Sequence, residues 1–140
     1  MAFNSHGEMK LWVEDNIVFM EIRGGWNYEK AKEFARELNS VITPLVKPPF
    51  GAVGILHDDW MPTADAIPFL HEATKYAIKS GLVREAYVAS SPISSRVTQS
   101  MVLPPDGSNY QSREFSDIDD AIAWIREGTL GTSQTIEKQN

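Results

Sequence analysis

The sequence contains no cysteine, which excludes a disulfide framework, a thiolate metal site, a cysteine nucleophile and thiol redox chemistry. Long apolar runs are also missing. Nothing approaches the roughly 18 residues that a membrane span needs, and Met1 to Lys10 has no basic segment leading into an apolar one. The expected address is therefore the cytoplasm, with no membrane span. Positive charge is scarce as well: 19 acidic against 13 basic side chains leave a formal charge of -6. That balance repels nucleic-acid phosphates unless the cations gather on one face. They do not gather, because Lys30, Lys32 and Arg36 share a predicted helix with Glu29, Glu33 and Glu37 as a solvated, locally paired surface. Nucleic acid is not an expected partner. There is no internal repeat and no low-complexity block.

What is present suits one ordinary globular domain: 140 residues, 42% of them hydrophobic, can bury a core without disulfides or metal. Residues 1–7 read as a flexible N-terminus, 8–128 as the domain and 129–140 as a disordered polar tail, in which Leu130 and Ile136 are the only large apolar residues.

Met9 to Glu14 and Ile17 to Arg23 read as strands joined by a tight turn at Glu14-Asp15-Asn16, an opening β-hairpin. Ile17-Val18-Phe19-Met20 is apolar without alternation, as in a central strand covered on both faces, whereas the alternation from Met9 to Glu14 suits an edge. Gly24-Gly25 ends the second strand, having neither the third glycine nor the spacing of a dinucleotide fingerprint. Asn27 caps a helix whose apolar positions are Ala31, Phe34, Ala35, Leu38, Val41 and Ile42, running to Pro44. Gly51 to Leu56 is the third strand. A loop from His57 to Pro62 leads to a helix with Ile67, Leu70, Ala73, Thr74, Ala77 and Ile78 inward, closed by Ser80-Gly81. Pro68 belongs in its first turn and Asp65 at its cap.

Ala86 to Ala89 is the fourth strand, and Ile93, Val97, Ser100 and Met101 mark a short helix before the turn Pro104-Pro105-Asp106-Gly107. Tyr110 to Phe115 is a fifth strand. Ser116-Asp117-Ile118-Asp119 has the form of a capping box, opening a helix with Ile118, Ala121, Ile122 and Ile125 inward and Gly128 at its end. The order implies an α/β fold with a mixed four- or five-stranded sheet and about four helices.

Three stretches of this pattern are similar to the SpoIIAA-like superfamily, which includes STAS domains, and in particular to its STAS/SEC14-type branch of small uncharacterised bacterial proteins. They are the hairpin leading into Arg23-Gly24-Gly25-Trp26 and the first helix, the strand Gly54-Ile55-Leu56-His57-Asp58, and the ending from Phe115 to Ile125. The resemblance implies either a phosphorylation-controlled partner switch or a docking or small-ligand module. Anti-sigma factor antagonists of this fold carry Asp-Ser-x-Gly after the third strand, the serine receiving phosphate. The matching stretch here reads Pro62-Thr63-Ala64-Asp65. Thr63 keeps a hydroxyl, but Asp65 replaces the glycine, and its charge repels an added phosphate.

Among side chains that could carry chemistry, His57, Asp58 and Asp59 follow a strand's C-terminal end, where open α/β sheets place ligands. Such groups could bind a divalent metal or move a proton, yet consecutive side chains on extended backbone point to opposite sides, and His71 sits on the next helix. Turn formation and helix-start electrostatics account for them more simply. Ser90-Ser91 and Ser94-Ser95 lack the glycines of a nucleophile elbow and read as helix caps. Trp26, Trp60 and Met61 fall in predicted loops, where large apolar side chains either lid the core or meet a partner. Trp124 reads as core rim or dimer contact.

The sequence thus points to a non-enzymatic regulatory, protein-interaction or apolar-ligand-binding module without catalytic residues, metal or cofactor. Its binding candidates are Asp58, Asp59, Trp60, Met61, Thr63 and Trp26, and its expected partners are a second copy of the chain, another protein or a small apolar ligand. The competing reading is a small metal-dependent or acid–base enzyme, hydrolase-like, centred on the loop after the third strand.

Overall fold

The hairpin is built on the turn its residues favour. Asp15 and Asn16 both take positive φ, 54° and 63°, the type I′ combination whose twist matches the flanking strands. In the computed structural model, which describes residues 7–89, 91–101 and 109–138, β1 (Glu8–Glu14) pairs antiparallel with β2 (Ile17–Arg23), placing Leu11 opposite Met20. Asn16 also fastens the turn to a distant segment. Its side chain accepts from the Lys47 N–H and donates to the Lys47 and Pro49 carbonyls at 2.8–3.1 Å.

Three further strands run parallel to β2: β4 (Phe50–Leu56), β6 (Leu82–Ala89) and β7 (Gln111–Phe115). The sheet order is β1-β2-β4-β6-β7, so β1 is the expected edge and β2 lies inside, buried on both faces from Ile17 to Met20. A pair of two-residue strands, β3 (Gly25–Trp26) and β5 (Met61–Pro62), joins the loops that follow β2 and β4.

Three helices cover one face of the sheet: α1 (Tyr28–Glu37), α2 (Ile67–Lys79) and α3 (Pro92–Met101). The other face carries α4 (Ile118–Lys138), whose Ala121 and Ile125 pack on Ile17, Phe19, Val53 and Ala86. Asn27 caps α1 by accepting from the Lys30 N–H at 2.9 Å, and Pro68 sits in the first turn of α2. Ser91 and Ser94 exchange backbone-to-hydroxyl bonds at the start of α3, the reciprocal pattern of a capping box.

Several expectations are corrected. After Glu37 the chain winds into a π-helical turn (Leu38–Ile42) and a 3₁₀ turn (Thr43–Leu45) containing Pro44. The changed winding rotates Val41 off the apolar stripe, leaving it exposed. In α3 the inward positions are Ser94, Val97 and Thr98, while Ile93 faces out. Asp65 does not cap α2, because its carboxylate takes the Thr63 hydroxyl at 2.6 Å and the helix begins two residues later without a side-chain cap. Asp117, rather than Ser116, caps α4, accepting from the Asp120 N–H. Gly128 lies within α4 instead of ending it: one glycine costs a helix only about 1 kcal/mol, and its bare Cα leaves room for the Arg84 side chain. Residues 1–6, Ser90, the Pro104–Gly107 turn and the side chains of Ser100, Met101, Leu130 and Ile136 lie outside the described residues.

Candidate functional site

Because β2, β4, β6 and β7 are parallel, their C-terminal ends share one edge of the sheet, and the loops after β2 and β4 meet there. Gly24, at φ 81°, turns the chain out of β2. Its N–H donates to Asp59 Oδ1 at 3.1 Å, and Arg23 lies 3.4 Å from Asp59 Oδ2. The Gly24 bond, helped by Arg23, holds the Asp59 carboxyl below its ordinary pKa. The Gly24 and Trp26 carbonyls accept from the Met61 and Thr63 N–H groups. His57 Nε2 sits 2.7 Å from Glu21 Oε2. An open cleft of about 480 Å³ is lined here by Arg23, Ile55, His57, Asp58, Asp59 and Val88. Asp58 and Asp59 therefore line the same cleft, but Asp59 is committed to Gly24 and Arg23. Among the described residues no three His, Asp or Glu side chains are grouped to hold an ion.

The tryptophans turn away from this cleft. Trp26 is 0% exposed and Trp60 3%, against 51% for Met61. Of the two roles expected for these loop side chains, Trp26 and Trp60 take that of core lids, since the short β3–β5 pairing pulls both loops over the sheet and folds their indoles beneath. Trp26 Nε1 donates to the Glu8 and Arg23 carbonyls, its ring meeting Phe34 at 5.4 Å and Trp60 edge-on at 5.9 Å. Trp60 Nε1 has no hydrogen-bond partner among the described residues.

Beneath the two indoles, between the sheet and helices α1 and α2, lies a cavity of about 50 Å³. Its walls are Met20, Ile22, Phe34, Leu56, Leu70 and the two tryptophans, and Gly54 forms bare floor beside Tyr87. Glu85 opens on it at 5% exposure. Its Oε1 accepts from the Tyr110 hydroxyl at 2.7 Å, and the Tyr87 hydroxyl also bonds it. Burial pushes the Glu85 carboxyl up, outweighing the two phenols, which favour the ionised form. Burial and the neighbouring Glu85 raise both tyrosines in turn.

No protein-family model and no curated protein matches the chain. A solved structure does: an uncharacterised protein of the DUF3478 family from Shewanella loihica, described as having a SpoIIAA-like fold. The two superpose with a TM-score of 0.54 at 15% identity, over 87% of this chain and 95% of the other. The fold is SpoIIAA-like. At this identity the likeness concerns architecture: a mixed five-stranded sheet opened by an antiparallel hairpin and carrying four helices. Within this SpoIIAA-like frame Thr63 is exposed just beyond β5 and ahead of α2, its hydroxyl held by Asp65. Sequence reasoning missed Glu85, Tyr87, Tyr110 and the His57–Glu21 pair. The one legible signal was the adjacent charges Arg84 and Glu85 inside an otherwise apolar stretch, Leu82 to Ala89.

Proposed function

We propose that the chain is a non-enzymatic binding module that takes a small, largely apolar ligand into the cavity beneath Trp26 and Trp60. The observation that carries this reading is the buried Glu85 carboxyl opening on an otherwise apolar, aromatic-walled space, since convergent polar groups in an apolar pocket orient ligands. The unpartnered Trp60 N–H supports it as a second orienting group. At about 50 Å³ the cavity is well below the roughly 150 Å³ that holds benzene, so its occupants are compact molecules of a few heavy atoms. Indole N–H resonances of Trp26 and Trp60 during titration with xenon and with 1-propanol test the reading. Saturable shifts that weaken in Gly54→Ala are expected. The added methyl of that variant meets Tyr87 at an ordinary 3.4 Å, so it narrows the cavity without disturbing the fold. Absence of any saturable shift in the wild-type chain refutes the proposal.

A second reading, acid–base catalysis in the open cleft, rests on the 2.7 Å His57–Glu21 pair. It requires that hydrolysis of a nitrophenyl ester panel by the wild-type chain exceed that by His57→Ala. Equal rates dispose of it.

A further inference from the structure

The cavity holds an acid without a base. Glu85 is almost wholly buried, it borders both the cavity beneath the tryptophans and an adjoining one of about 30 Å³, and no Lys, Arg or His lines either among the described residues. The two spaces share Met20, Phe34, Thr74 and Glu85 as walls. A buried carboxyl ordinarily has a cationic partner or stays neutral. Here the groups provided for it, the Tyr110 hydroxyl at 2.7 Å and the Tyr87 hydroxyl, are donors that suit a carboxylate. The opposite wall is aromatic, with Trp26 set edge-on to Trp60 at an interplanar angle of 85° and close to Phe34. Perpendicular rings present electron-rich faces on more than one side, which is how cations are held without a full set of hydrogen bonds.

Resting on the reading of this cavity as a ligand site, we propose that its ligand is a small protonated amine, whose ammonium completes an ion pair with Glu85 and whose short hydrocarbon body packs against Trp26, Trp60 and Leu56. Neither half of the site is sufficient by itself. An apolar cavity alone accepts any compact neutral molecule, and a buried carboxyl alone remains protonated. Joined in one enclosed space, they select a cation that is cheap to desolvate and short enough to fit.

The test uses the full chain with n-propylammonium, isosteric 1-propanol and propionate as probes, followed through the indole N–H resonances of Trp26 and Trp60. Propylammonium is expected to bind at least about tenfold more tightly than 1-propanol, as befits a charge-assisted hydrogen bond, with propionate excluded. Glu85→Gln retains an acceptor for the Tyr110 hydroxyl and is expected to erase the preference for the amine while leaving 1-propanol binding in place. A circular-dichroism melt establishes that this variant is folded. Should it unfold, Tyr110→Phe, which removes a donor beyond the cavity walls, provides the alternative, with an expected several-fold loss for the amine alone. Equal affinity for propylammonium and 1-propanol, or amine binding unchanged in Glu85→Gln, overturns the inference while the apolar-ligand reading stands. If no probe binds, both fail together.

Discussion

Trp60 and Met61 are adjacent, similarly apolar and set in the same loop, yet the structure assigns them opposite energetic roles. Met61 is half in solvent, and truncating it to alanine removes little buried surface, so a change within about 0.5 kcal/mol is expected. Trp60 is enclosed and stands edge-on to Trp26 across the cavity roof. Its indole N–H bonds to nothing among the described residues, so Trp60→Ala strands no acceptor and its cost is one of packing. For a buried tryptophan that is about 3–5 kcal/mol, including the enlarged cavity. In a chain of 140 residues about 3–4 °C of melting temperature corresponds to each kcal/mol, which places the expected drop at roughly 9–20 °C. Thermal melts of the two single variants beside the wild type supply the comparison, and urea titration checks that the unfolding slope is unchanged. Equal melting temperatures for the two variants would show that Trp60 is not a structural lid, and the account of the cavity roof would collapse with it.

Other predictions follow from the same packing. Gly51→Ala drives a methyl into Ile125, the fully buried side chain by which α4 packs on the sheet, and is expected to destabilise by about 1–3 kcal/mol in urea titration; a neutral result would mean that α4 is not seated on β4. Glu85 gives a pH signature. Its raised folded-state pKa means that the folded chain holds this proton more tightly than the unfolded one. That contribution is fully present below the unfolded value of about 4.3 and is lost as pH rises from there through the folded value. Glu85→Gln should therefore gain stability relative to wild type as the pH is raised from 4 to 8, and parallel stability curves would contradict the burial argument. Ending the chain after Thr129 retains Ile125 and the Thr129 hydroxyl bond to its carbonyl, so the melting temperature should stay within about 2 °C. A larger loss would assign residues 130–140 to the core.

Features governed by neighbours in the chain were legible in advance. The tight turn around Asp15 and Asn16, the Asn27 cap, the edge position of β1, the doubly covered β2 and the serine cap of α3 depend on a few consecutive residues whose conformational preferences agree with the final fold. The site belongs to the other class. Phe50 pairs with Leu82 and Gly51 with Arg84, so Val83 is an extra residue that shifts the alternation of β6. Without that bulge Glu85 would share the face of Val53 and point toward α4. With it, Glu85 stands opposite Ala52 on the three-helix face and meets the cavity, while Arg84 reaches the Trp124 carbonyl at 2.6 Å on the other. No local preference encodes the choice, because a one-residue slip exchanges the two faces of a strand and only the packing of α1, α2 and α4 distinguishes them. Trp26 and Trp60 are the same case. In sequence they occupy loops, and their burial is decided by two residues of pairing between segments 36 positions apart, Gly25 with Met61 and Trp26 with Pro62. The five strands of the main sheet, the four helices and the SpoIIAA-like order in which they follow one another were thus legible in the chain, whereas the β3–β5 pair and the π-helical turn were not. Which side chains face one another across the sheet, and hence the buried acid beneath the tryptophans, was decided by long-range register, a property that exists only once the strands are paired.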